Sequence, residues 1–301
     1  DLLLFGGTGT ARVVVNLSTS SITYDTTNSL AANRVLDSVG HTDTVVNLSI
    51  ENVTGGTNAD TFAGSAANNV LNGADGNDYF YASIGNDSII GGNGTDTLDF
   101  TNLTTTAGVN GNLGTSLSFS SGGTAYTTTV ATMENFTGSG QADTIIGNSS
   151  ANVINGGAGN DTINAGTGTD TIILDFSGVD KIYGEGGTDT VSFTGTTSTI
   201  SADTNFAPSA TTINTVEKFD LSSLSLNSSS DSTEFIFTDA LLTTWTGSST
   251  GSFTLSFTSS QREKIMFTDS GGTVRDTAAE ISDGATYTVG SHSLTIDITD
   301  L

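Results

Sequence analysis

Asp60, Asn69, Asp78, Asp87 and Asp96 stand nine residues apart, and each closes a six-residue stretch with glycine at one or more of its first, second and fourth positions. From Gly138 the pattern returns with Asp143, Asn152, Asp161 and Asp170, and after one inserted residue, Leu174, it gives Asp180 and Asp189. An acid beside a glycine-rich loop is an oxygen-donor arrangement. The glycines permit backbone conformations that a side chain forbids, so several carbonyl oxygens can turn to the same side as the carboxylate. Carboxylate and carbonyl oxygens together make the cage that calcium prefers, whereas magnesium keeps its waters and demands tighter octahedral geometry. Zinc would need nitrogen or sulfur donors, and the chain offers no cysteine and only two histidines, His41 and His292.

Positions seven to nine of each block must carry these loops. In the first run their middle residues are Phe62, Leu71, Phe80, Ile89 and Leu98, all apolar, which predicts short strands with the central side chain turned inward. Two blocks then form one coil, and coils stack at about 4.8 Å, the spacing of hydrogen-bonded strands. One edge of the stack brings Asp60, Asp78 and Asp96 together, and the other brings Asn69 over Asp87. Two carboxylates about 5 Å apart repel by roughly 0.8 kcal/mol in water and roughly 3 kcal/mol at an effective dielectric near 20. A divalent ion between adjacent loops removes that repulsion. A single Asp-Thr pair needs no more than an Asx-turn to explain it, but turn chemistry does not require the same acid every nine residues. Thr61, Thr97, Thr144, Thr162, Thr171 and Thr190 read as strand-surface residues of high β-propensity.

A longer period lies over the short one. Glu51, Glu134 and Glu217 are 83 residues apart, at the head of the phrases Glu-Asn-Val-Thr, Glu-Asn-Phe-Thr and Glu-Lys-Phe-Asp. Repetition on this scale predicts a stacked, solenoid-like body. The glutamates suit capping or metal ligation at the first coil of each block, and equally a turn-closing ion pair or a solvated carboxylate. The expected organisation is a β-strand segment over 1–50, ending a preceding repeat, and a first calcium block over 51–100. A β spacer of calcium-poor coils or excursions covers 101–133, and a second calcium block covers 134–193. A spacer with the start of a third repeat covers 194–220, and a β-rich assembly or secretion region covers 221–301. The first residue is not Met, which reads as a fragment of a larger protein.

Composition narrows the function. The formal charge is −25, from 32 acidic and 7 basic side chains, which opposes nucleic acid and anionic membranes as partners. Without cysteine no disulfide staples the chain, so calcium would do the stapling. No stretch approaches the roughly 18 apolar residues of a membrane span, and no amino-terminal signal peptide is visible. His41 and His292 sit in a turn-like and a hairpin-like sequence, so a histidine-based catalytic site is not expected and the chain reads as a non-enzyme.

Gly73–Tyr81, Gly91–Asp99 and Gly156–Asn164 follow GGxGxDxUx most closely, and at these residues the chain resembles the RTX, or hemolysin-type, calcium-binding family. Eleven blocks carry the resemblance, over roughly a third of the chain. It implies an all-β fold, a parallel β-roll or β-solenoid holding several calcium ions between turns. The side-chain ligands expected are Asp60, Asp78, Asp87, Asp96, Asp143, Asp161, Asp170, Asp180 and Asp189. The carbonyl ligands expected are Gly73, Asp75, Gly91, Asn93, Gly156, Ala158, Gly184 and Gly186. Asn69 and Asn152 replace the acid, which puts calcium at their loops in doubt. The resemblance also implies type I secretion to the cell exterior. The cysteine-free, lysine-poor, threonine-rich composition is similar to surface-layer proteins of this family, so the expected role is a self-assembling surface-layer subunit. The alternatives are an adhesin stalk, a module for a cell-surface glycan or other ligand, and the non-catalytic repeat region of a secreted enzyme.

Overall fold

The computed structural model describes residues 12–22, 31, 50–174, 178 and 180–192 with their side chains, and elsewhere the backbone of short strands. His41 and Glu217 lie outside the described residues. All regular structure among the described residues is β-strand, and the fold is a parallel β-solenoid. The chain divides into two compact units, one of residues 1–148 with 156–158 and one of residues 149–155 with 159–301.

In the first unit, short strands alternate between two sheets. One sheet runs Leu2–Leu4, Asn52–Thr54, Val70–Asp75 and Ser88–Asn93, each parallel to the next. The other runs Val14–Asn16, Thr61–Ala63, Tyr79–Tyr81, Thr97–Asp99 and Asn135–Thr137, also parallel. Phe62 pairs with Phe80 and Phe80 with Leu98, while Leu71 pairs with Ile89, so the nonapeptide phase is the register of the sheets. These eighth-position residues are all buried. The rings of Phe62 and Phe80 stack with centroids 5.0 Å apart and planes inclined by 19°. Burying a phenylalanine stabilises by about 3 kcal/mol, and the regular spacing makes that contribution recur at every coil. Of the threonines after the acids, Thr144 is exposed and Thr97 half-buried, but Thr61 is buried. Its strand is covered on both sides, by Val14–Asn16 and Tyr79–Tyr81.

The spacer is a meander set into one sheet. Ala107–Asn112, Ser116–Ser121 and Thr124–Ala131 pair antiparallel, the last lying parallel to Ser88–Asn93 and the first parallel to Thr144–Ile146. Val109, Leu117, Phe119 and Val130 are buried, so the meander carries the core onward. Phe119 meets Phe100 edge-on with centroids 5.3 Å apart. In the opposite sheet nothing is inserted, and Thr97–Asp99 pairs directly with Asn135–Thr137.

Three spacer strands in one sheet have a topological result. Asn52–Thr54 lies in the first sheet, but its counterpart in the long repeat, Asn135–Thr137, lies in the second. Thr61–Ala63 and Thr144–Ile146 are exchanged in the opposite sense. Between its first and second copies the 83-residue repeat therefore swaps sheets.

In the second unit, Val153–Asn155, Thr171–Leu174, Thr190–Phe193, Lys218–Asp220, Gly251–Phe257 and His292–Ile298 form a parallel series. Thr162–Asn164, Lys181–Tyr183 and Thr212–Asn214 form another. The inserted Leu174 is absorbed as a fourth strand residue opposite Phe193. Thr286–Val289 and His292–Ile298 form the hairpin expected around His292. The region over 221–301 thus contributes strands to the same parallel series as the nonapeptides.

Candidate metal centre

Most loop acids are tied to the coil before them. Asp78 Oδ1 accepts the backbone N–H of Asp60 at 2.7 Å, and Asp96 Oδ1 accepts that of Asp78 at 2.7 Å. Asp60 Oδ1 accepts the N–H of Val13 at 2.7 Å, and on the opposite edge Asp87 Oδ1 accepts that of Asn69 at 2.9 Å. Asp143 Oδ1 accepts from Val109 of the spacer at 2.6 Å. In the second unit Asp170, Asp180 and Asp189 accept from Asn152, Asp161 and Asp170 at 2.7, 2.9 and 3.0 Å. The predicted stacking of Asp60, Asp78 and Asp96 on one edge and of Asn69 and Asp87 on the other is present. A buried N–H must find an acceptor, and the acid supplies it where the loop leaves the sheet ladder.

The second carboxylate oxygen separates the loops into two kinds. Oδ2 of Asp78, of Asp96 and of Asp170 is buried and has no hydrogen-bond partner. Oδ2 of Asp60 accepts from Gly56 N–H at 2.7 Å, that of Asp143 from Ser139 N–H at 2.7 Å, and that of Asp87 from the Ser83 hydroxyl at 2.8 Å. Buried polar atoms in native folds are almost always satisfied. The unpartnered oxygens therefore mark where a ligand is required.

The glycines show the room left for it. A side chain on Gly73 would collide with Asp78 Oδ2 and with the carbonyl oxygen of Gly91. One on Gly91 would strike Asp96 Oδ2 and the carbonyl oxygen of Thr132. Gly55 and Gly138 repeat the cradle, with the Gly73 and Gly156 carbonyls beside the acids Asp60 and Asp143. Carboxylate and carbonyl oxygens thus converge on a space kept open by the absence of Cβ, an all-oxygen donor set that fits calcium. Among the described residues no three His, Cys, Asp or Glu side chains converge on one point, so backbone oxygens must complete any cage.

The electrostatics agree. The Asp78 carboxyl is pushed up to about 7, chiefly by burial, with the charges of Asp60, Asp96 and Asp75 adding to the rise against the lowering effect of its bond from the Asp60 N–H. Asp96 is pushed up to about 6, chiefly by burial, with Glu134 adding to the rise. Asp87 is likewise pushed up to about 6 by burial. Asp60, Asp143 and Asp170 are raised from the same first cause. Without a cation these acids resist ionisation.

Of the carbonyls expected as ligands, those of Gly73, Gly91 and Gly156 face cradles. Asn93 instead gives its carbonyl to Gly76 N–H at 2.9 Å, and its side chain donates to Asp75 Oδ1 at 2.8 Å. Both residues lie on strands that run on into the loop, Val70–Asp75 and Ser88–Asn93. Gly186 donates its N–H to Gly166 at 3.0 Å, Gly184 is buried, and Ala158 is exposed.

Three features escape the nonapeptide reading. Ser83 and Ser139, at second positions of imperfect blocks, satisfy the acids of their own loops. Glu134 Oε2 accepts the N–H of Asp96 at 3.0 Å, taking the place of a loop aspartate. Fifth-position asparagines form a counter-ladder, in which Asn77 Oδ1 accepts from Thr95, Asn68 Oδ1 from Asn86 and Asn86 Oδ1 from Thr127 at 2.9–3.0 Å. The recurrence of Asn at that position in consecutive blocks was the available signal.

Four copies of the RTX calcium-binding nonapeptide repeat match the sequence, at residues 54–89, 75–101, 137–172 and 177–195. Among curated proteins none matches the chain. The matched stretches contain every loop acid of the ladders and the cradle glycines beside Asp78 and Asp96, and calcium is the ligand of such repeats. The chain therefore carries RTX, hemolysin-type calcium-binding repeats over residues 54–101, 137–172 and 177–195.

Proposed function

We propose that this calcium-binding repeat protein is a structural component of the bacterial cell surface, a subunit that folds and self-assembles into a surface layer when it meets calcium. Proteins with these repeats are generally secreted and extracellular. The observation that carries the reading is the row of buried carboxylates with unpartnered oxygens at Asp78 and Asp96. Such a body is poorly stable until cations enter it, and a ligand that binds only the folded state stabilises it by mass action. Bound calcium also discharges part of the −25 charge that keeps molecules apart in solution. The role is non-catalytic, with no nucleic acid or membrane-inserted partner. Light scattering and electron microscopy of folded protein, with calcium raised from micromolar to tens of millimolar, test this. Ordered sheets are expected, and a protein that folds yet stays monomeric at every concentration overturns it.

A second reading is a ligand-binding module of an adhesin. A groove of about 330 Å³ is lined by Ser18, Ser20, Ser65, Tyr81, Ser83 and Leu103, among others. Hydroxyls around one aromatic ring suit a cell-surface glycan. Saturable binding in a glycan array, lost in Tyr81→Ala, would favour this role over assembly.

A further inference from the structure

The top of the first nonapeptide run is the place where the regular chemistry should fail. The coil above the Gly91–Asp96 loop is not a nonapeptide, because the chain leaves for the spacer after Asp99 and returns only at Ala131. The returning turn is also short. Ile90 pairs with Ala131 and Thr97 with Asn135, so Thr132, Met133 and Glu134 must cover the span that six residues cover below. Yet Asp96 Oδ2 is fully buried and without a hydrogen-bond partner, so the loop is still built for a ligand.

Two features of the short turn supply what the missing nonapeptide would have given. Thr132 has φ of 49°, a conformation that a β-branched residue rarely adopts, and its carbonyl oxygen lies against the cradle at Gly91 beside Asp96 Oδ2. The Thr132 hydroxyl is also held, accepting Gly92 N–H at 2.8 Å. Glu134 brings a carboxylate to the Asp96 N–H at 3.0 Å, the position that Asp78 and Asp96 occupy over the coils before them.

We infer that Asp96, the carbonyl of Thr132 and Glu134 form a calcium site that closes across the spacer, clamping the returning chain to the top of the first nonapeptide run. The inference rests on the calcium-binding reading of the repeats and extends it to residues outside any nonapeptide. The ion at this site differs from those beneath it, because its ligands meet only after the spacer meander has docked. It therefore makes folding of residues 101–133 calcium-dependent although those residues contain no calcium loop.

The test compares the full chain with Glu134→Gln, Glu134→Asp and Asp78→Asn by calcium titration calorimetry and by hydrogen exchange of the Thr124–Ala131 amides. Glu134→Gln should weaken one calcium ion by roughly 10- to 100-fold and lose protection over Thr124–Ala131 at intermediate calcium. Glu134→Asp keeps the charge but not the reach, and should weaken the same single ion. Unchanged stoichiometry and affinity in both Glu134 variants, while Asp78→Asn loses an ion, overturn the site and leave the repeats' calcium binding intact. Uniform weakening of all ions, or loss of protection without loss of an ion, assigns Glu134 a purely structural role and also overturns it. Absence of calcium binding in the unaltered chain would defeat the underlying reading itself.

Discussion

The two edges of the first unit are built from the same nonapeptide and satisfy their acids differently. On the edge of Asp60, Asp78 and Asp96, two of three acids keep a buried oxygen that no protein donor reaches. On the edge of Asn69 and Asp87, the Ser83 hydroxyl lies where the chain would otherwise leave room, and donates to Asp87 at 2.8 Å. It also stands so close to Gly64 that a side chain there would collide with it. Asn69 meanwhile accepts Ser65 N–H at 2.7 Å. One edge leaves buried oxygens open to an ion, and the other fills the corresponding place with hydroxyl and amide groups. The acid alone therefore does not fix the surroundings of its loop. The donors around its second oxygen do.

The severest way to break the comparison is to remove the cation. Excess chelator should abolish most of the strand circular dichroism, and hydrogen exchange at partial chelation should show the amides around Asp78 and Asp96 opening before those around Asp87. Retention of the full signal and melting temperature would refute calcium-linked folding.

Substitution separates the edges next. Asp78→Ala leaves the Asp60 N–H buried without an acceptor, a cost of about 1–3 kcal/mol, and removes a ligand worth roughly 10- to 100-fold in calcium affinity. Asn69→Ala should cost about 1 kcal/mol with no change in calcium stoichiometry. Calorimetry and thermal melts over a calcium series distinguish them, and equal effects would erase the difference between the edges.

Acidity sharpens the contrast further. Asp78 and Asp96 are raised to about 7 and about 6 in the folded chain, above their unfolded value of 3.8, so the folded state binds protons that the unfolded chain has released. Stability of the calcium-free protein should therefore fall as pH rises from about 4 to 7 and be recovered on acidification. In calcium the sign reverses, because protons compete with the ion for the same oxygens. Melting temperatures in chelator and in calcium should run in opposite directions with pH, and parallel curves would contradict this.

The smallest change tests the substitution of hydroxyl for ion. Ser83→Ala deprives Asp87 Oδ2 of its donor and should cost about 1–3 kcal/mol at every calcium concentration. A cost that vanishes in high calcium would show that this edge also accepts the ion.

Much of this was legible in the spacing. The phase of Phe62, Leu71, Phe80, Ile89 and Leu98 gave the inward positions and the sheet register, because a period-two strand leaves its middle residue one place to go. The stacking of Asp60, Asp78 and Asp96 followed from the same count. What the spacing hid depends on distant pairing. Ala107–Asn112 and Thr124–Ala131 read as strands, but nothing local states that both would join one sheet, and strand pairing is decided by neighbours more than by the residues themselves. Glu134 was marked by its period, yet its partner Asp96 could be found only once the spacer had closed over it. Ser83 carried no signal beyond being an irregular second position.

The hydrogen bonds of the acid ladders all point one way. From Val13 to Asp60 and from Asp170 to Asp189 the earlier residue donates and the later residue accepts, so each coil is completed by the one that follows it in sequence. The asparagine counter-ladder runs the other way, from Thr95 back to Asn77 and from Asn86 back to Asn68. Neighbouring coils are thus clasped in both senses, and neither can leave the stack without taking a partner from the other.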